Sequence, residues 1–149
     1  MSSFINTVDV IGDDALTDSI IDRSITEFAS NQITKIGAYA FANCKALTTV
    51  DITQVNSLEG MAFQNCTALK ALILRYSTSN VNAQSNSFNG STIATGTGYV
   101  YVPYALMDKY KAHSNWKNYA GRLRVLEDYT VDGTIDGQLD WNKINGEAE

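Results

Sequence analysis

Proline, histidine and cysteine are nearly missing: 149 residues hold Pro103, His113, Cys44 and Cys66 and no others of those types. Two thiols and one distant imidazole fall short of the ligand set of a zinc centre. His113, between Ala112 and Ser114 in a polar stretch, reads as a solvent-exposed side chain rather than a general base. Positive charge is short too: the formal net charge is −5 and only 18% of residues are charged. Phosphate backbones demand clustered cations, so no nucleic-acid partner is expected. No apolar run reaches the roughly 18 residues of a membrane span, and the start lacks the basic-then-apolar pattern of a secretion signal. The expectation is a chain assembled in the cytoplasm and released by lysis, with no membrane partner.

Catalytic signatures are absent as well. No Gly-x-Ser-x-Gly elbow or His-Glu-x-x-His helix occurs, and Gly96-Thr97-Gly98 lacks the third glycine and the strand-to-helix setting of a dinucleotide site. The carboxylates gather near the chain ends, so spacing proposes no glycosidase pair. Asp132, Asp136 and Asp140 recur every four residues, out of step with the alternate-residue oxygens of a calcium loop. A non-enzymatic chain with no cofactor and no metal is expected. The triplets Asn65-Cys66-Thr67 and Asn89-Gly90-Ser91 match a glycosylation acceptor by coincidence.

What remains is 44% apolar residues, enough for the core of one domain, together with many Asn, Ser and Thr that suit short strands and tight corners. Charge is segregated. Residues 1–30 sum to −5, residues 127–149 to −6 and the middle to +6. An acidic end on one subunit could meet the basic middle of another in a homo-oligomer, although charge blocks are more often solvated faces.

The middle contains a repeat. Ile33, Ile36, Ala40, Phe41, Asn43, Cys44, Ala46, Leu47, Val50 and Ile52 recur as Val55, Leu58, Ala62, Phe63, Asn65, Cys66, Ala68, Leu69, Leu72 and Leu74, each shifted by 22 residues. Ser87-Phe88-Asn89-Gly90-Ser91 and Tyr99-Val100-Tyr101-Val102 form a strained third copy after a Ser/Asn-rich loop at 76–87. Ser24-Ile25-Thr26-Glu27-Phe28 reads as an earlier strand. One such unit cannot bury its own large residues, so strands near 26, 50, 72 and 100 should stack in parallel. Phe41 and Phe63 then become stacked core aromatics, and Asn43 and Asn65 satisfy backbone groups at the corners. Cys44 and Cys66 fall in register, either as buried thiols or as a bridge.

The unit Ile36-Gly37-Ala38-Tyr39-Ala40-Phe41-Ala42-Asn43-Cys44-Lys45-Ala46-Leu47-Thr48-Thr49-Val50, repeated at 58–72, resembles the BspA-like leucine-rich repeats of bacterial surface proteins. The flanks, from Ile11-Gly12-Asp13-Asp14 to Leu126-Glu127-Asp128-Tyr129, are similar to short leucine-rich-repeat proteins of phages and prophages of Gram-positive bacteria. The resemblance implies a β-rich α/β fold, a short BspA-like solenoid with parallel strands and capping helices at both ends. It also implies a virion structural protein: a tail fibre, baseplate or receptor-binding component for host attachment, ahead of capsid decoration. Its partners would be other virion proteins and a host protein or glycan. The alternative is a bacterial cell-surface adhesion protein.

Within one compact domain, residues 1–24 are expected to form an acidic capping or attachment segment, 25–102 the solenoid, 103–131 a C-terminal cap and 132–149 an acidic tail. Leu16 and Ile20 place a short amphipathic helix over 13–21. Pro103 opens a helix to about Ala112, with Leu106, Tyr110, Trp116 and Tyr119 as capping core or, alternatively, a sugar platform. Residues 125–131 read as one more strand. Strand alternation turns Val50, Ile52, Leu72, Leu74, Val100 and Val102 inward. The candidate partner-binding face is therefore Thr49, Asp51, Ile73, Arg75, Tyr99 and Tyr101, unless a cap segment folds over it.

Overall fold

The structure, a computed structural model, describes residues 15–16 and 22–148. Two parallel ladders run along the stack. The wider joins β2 (Glu27–Ser30), β4 (Thr49–Ile52), β6 (Ala71–Leu74), β8 (Tyr99–Val102) and β9 (Leu123–Val125), in that order. The narrower joins β1 (Ala15–Leu16), β3 (Lys35–Ile36), β5 (Ser57–Leu58) and β7 (Asn82–Ala83). Glu27 lies opposite Thr49, and Thr49 opposite Ala71, so the sequence period is the hydrogen-bond register itself. The third coil is longer, pairing Ala71 with Tyr99, and accommodates its extra residues in the 76–81 loop and a single turn, α1 (Thr92–Thr95).

The core is a column of rings. Phe41 stacks on Phe63 at 5.3 Å and 6°, and Phe63 on Phe88 at 5.6 Å and 12°. Phe28 closes one end edge-on at 5.2 Å and Trp116 the other at 5.4 Å. All five are buried, as are the six inward strand residues. Identical residues at identical places in successive coils give each ring a partner of its own shape, which accounts for the tight offset stacks.

The corners work differently from the sequence expectation. Asn43 and Asn65 do not satisfy corner backbone groups: both adopt left-handed φ, 62° and 58°, a conformation asparagine tolerates better than most residues. Their side chains bond to each other, Asn65 Nδ2 donating to Asn43 Oδ1 at 3.0 Å. In the third coil Gly90 takes this place at φ 73°, where a Cβ would collide with Asn65 Oδ1. Glycine takes this φ without strain, and the asparagine ladder ends at Asn65.

Both thiols are free and buried. Cys66 Sγ donates to the Phe41 carbonyl at 3.0 Å, and burial pushes its pKa up to about 12, leaving an inert filler. Cys44 is raised for the same reason.

At the far end Pro103 ends β8. A 3-10 turn (Tyr104–Leu106) then leads into α2 (Met107–Ala112) and a second 3-10 segment (Trp116–Arg122). The cap is tied to the stack through Val81, whose N–H donates to the Tyr110 hydroxyl at 2.9 Å and whose carbonyl accepts from Trp116 Nε1 at 2.7 Å. These aromatics are capping core and form no sugar platform. His113 belongs to the same clamp rather than to solvent. Its Nδ1 accepts the N–H groups of Asn115 and Trp116, and its Nε2 meets Asn82 Oδ1 at 3.1 Å.

Three further expectations are corrected. Residues 15–16 form a strand, not part of a helix over 13–21; the rest of that segment lies outside the described residues. The last strand is Leu123–Val125, ahead of 125–131, because a 3-10 turn (Leu126–Tyr129) aims both Leu126 and Tyr129 at the outer sheet face. The acidic tail is no loose appendage: it contains α3 (Trp141–Ala148), with Leu139 and Ile144 buried. No described helix is long and apolar enough to cross a membrane.

Candidate functional site

The outward row of the wide ladder is where a solenoid meets a partner. The structure divides the six candidate residues into three groups. Ile73 and Tyr101 are fully buried under the C-terminal segment, in a second core with Ala71, Leu126, Leu139 and Ile144; Thr49 is buried as well. These three cannot serve as an exposed contact face. Burying the apolar row costs the molecule one unpaired group, the Tyr101 hydroxyl, which has no hydrogen-bond partner among the described residues. Burial also raises its pKa.

Tyr99 is half-buried for another reason. The guanidinium groups of Arg122 and Arg124 lie over its ring at 4.2 and 4.4 Å, a pair of cation–π contacts. Arg124 continues to Glu147 at 2.9 Å, and the Tyr129 hydroxyl donates to the other Glu147 oxygen at 2.6 Å. Those two bonds hold the Glu147 carboxyl below its ordinary value. Burial, with the same hydrogen bond, pushes Tyr129 up to about 12. Lys70 adds a hydrogen bond to Asn145 at 2.7 Å and sits over the Trp141 ring at 5.8 Å. The acidic end thus meets the basic middle within one chain, where the sequence suggested a meeting between subunits.

Asp51 and Arg75 remain. They form a bidentate pair, Nε to Oδ1 at 2.7 Å and Nη2 to Oδ2 at 3.1 Å, while Arg75 Nη1 donates to the carbonyls of Ile135 and Gly137. One guanidinium thereby fastens the strap that covers Ile73 and also forms part of the lining of an open polar groove of about 520 Å³. Ala29, Ser30, Asn31, Gln32, Thr53 and Asp136 complete its lining. Ser30 Oγ accepts the N–H groups of Gln32 and Ile33, so the turn that presents the exposed Asn31 and Gln32 is fixed by its own side chain.

Sequence reasoning missed Asn31, Gln32 and Asp136 as groove residues. Asp132-Gly133 is a turn dipeptide, which marks a bend there but not where the bend docks. Asp132 itself caps Thr134, accepting from its N–H and its hydroxyl. Among the described residues no three His, Cys, Asp or Glu side chains gather as metal ligands. Chemically the groove can exchange hydrogen bonds with hydroxyls, amides or charged side chains.

Residues 2–98 match the family model for the BspA type leucine rich repeat region, in six copies. With two parallel ladders, a repeat register and most of the chain matched, the protein belongs to the BspA-type leucine-rich repeat family, a class whose repeats suggest a surface or interaction role. No curated protein and no solved structure matches it.

Proposed function

We propose that the chain is a non-enzymatic contact module of a bacteriophage particle. It is displayed on a tail fibre, baseplate or receptor-binding component, ahead of capsid decoration, and holds a host protein or glycan without any cofactor. The observation that carries the contact role is the Asp51–Arg75 groove, the part of the outward row that the strap leaves open. Virion placement is supported by the resemblance of the flanks to phage-encoded short repeat proteins. It is also supported by the strap, since each copy buries its own apolar row and can be mounted singly beside other virion proteins.

Particles released by induced lysis and purified on a density gradient test this, by peptide mass spectrometry and gold-labelled antibody imaging. Label at tail tips is the expected outcome, and even label over heads means capsid decoration. Peptides that stay with cell envelopes and are missing from particles overturn the virion reading in favour of a cell-surface adhesion protein, which membership of the BspA-type family also accommodates.

A further inference from the structure

We infer that a second cleft, at the C-terminal end of the stack, is a binding site for neutral glycans. The cleft encloses about 540 Å³ between the 104–111 cap and β9, and its lining includes Tyr104, Met107, Asp108, Lys111, Val125 and Asp128. That volume is within the usual range for small-molecule sites.

Tyr104 is the observation that singles the cleft out. It is 71% exposed, the most exposed aromatic among the described residues, in a chain that buries Tyr101, Tyr110, Trp116 and four phenylalanines almost completely. Its backbone is fixed nonetheless. Pro103 sets the turn at φ −58°, and the Tyr104 N–H donates to Glu127 Oε1 at 2.9 Å. A ring held at its base and offered to solvent along a cleft wall is a flat apolar platform, suited to the C–H face of a sugar.

The polar groups around it complete the match. Asp108, Asp128 and Lys111 are exposed, and none of their side chains makes a hydrogen bond or ion pair with another described residue. Carboxylates accept from hydroxyl pairs and an ammonium donates to ring or hydroxyl oxygens. Arg124 is already engaged by Glu147, so the uncommitted groups are two carboxylates against one cation. That balance repels acidic sugars and polyphosphates and favours uncharged hydroxyl-rich ones. The choice of a glycan rests on the contact-module reading; the place of the site does not.

The test titrates the full chain with maltotetraose, cellotetraose and chitotetraose, followed by amide chemical shifts and saturation transfer from protein to sugar C–H protons. At least one probe should shift residues 104–111 and 123–129. Tyr104→Ala should weaken binding about tenfold with an unchanged melting temperature, and Tyr104→Phe should bind within about twofold of the parent, because the ring face is retained. Asp108→Asn combined with Asp128→Asn should weaken binding about fivefold by removing strong acceptors. Shifts confined to the Asp51 groove, no shifts with any probe, or a Tyr104→Ala variant that binds like the parent would each overturn the proposal. Failure here with label still on tail tips discards the cleft alone; binding here with peptides only in envelopes discards the virion reading alone.

Discussion

The repeat stack and the C-terminal strap both end in apolar cores, yet they are held by different means. In the stack each ring meets its copy one coil away, and the β2–β4 and β4–β6 seams reuse the same 22-residue register. In the strap, residues 126–148 lie on the outer sheet face through non-repeating apolar anchors and three polar ties, at Arg75, Arg124 and Lys70. Periodic burial is cooperative and insensitive to any one polar group. Aperiodic docking concentrates its specificity in a few long-range bonds and should open first.

The largest effect should come from the column. Phe63→Ala, between two stacked rings, should cost roughly 3–5 kcal/mol in denaturant unfolding; a loss under about 1 kcal/mol would mean the column does not organise the core. Next comes the clasp. Arg75→Met strands the Asp51 carboxylate and frees two strap carbonyls, for about 2–3 kcal/mol, somewhat less than a fully buried broken pair. Amide exchange at Gly137 and Ile144 should accelerate while Val50 and Leu72 stay protected; equal acceleration at both places would show that strap and stack open as one unit.

One conservative change should then act with opposite sign in the two regions. Tyr110→Phe leaves the Val81 N–H buried without its acceptor, at about 1–3 kcal/mol, whereas Tyr101→Phe removes a hydroxyl that has no partner and should be neutral or stabilising by up to about 1 kcal/mol. Melting temperatures of the pair decide it, and a destabilised Tyr101→Phe would reveal a hidden partner under the strap.

The smallest effect is on pH. The Tyr129 and Arg124 bonds hold Glu147 below its ordinary value of 4.5. Its contribution is therefore complete above that value and is lost as pH falls through the lowered folded-state value. Emission from half-buried Trp141 should shift on acidification below pH 4.5, and Glu147→Gln should abolish that step. An unchanged step in the variant would assign it to another carboxylate.

The stack was legible because its information is local and repeated. Ten matched anchors at one spacing fix strand positions, and alternation assigns Val50, Leu72 and Val100 to the core. The two-residue strands β3, β5 and β7 were not, since pairs such as Ser57-Leu58 carry no alternation to detect. The strap was hidden for a related reason: Leu139 and Ile144 are isolated apolar residues in a polar, acidic stretch, and what makes them core is a partner surface about 70 residues earlier in the chain. The candidate face accordingly splits by exposure. Asp51 and Arg75 line an open groove, while Ile73 and Tyr101 were conspicuous because their cover was encoded elsewhere.

The shared register of β2 and β4 also makes the molecule a ruler. A duplicated segment 27–48 would meet a strand of its own kind on each side and leave the groove, the clasp and the C-terminal cap with their present neighbours. Each such cassette would carry the N-terminal end about 4.8 Å farther from the Tyr104 cleft, one interstrand spacing. Reach is thus adjustable in whole steps in this architecture, without any change to the groove or the cleft.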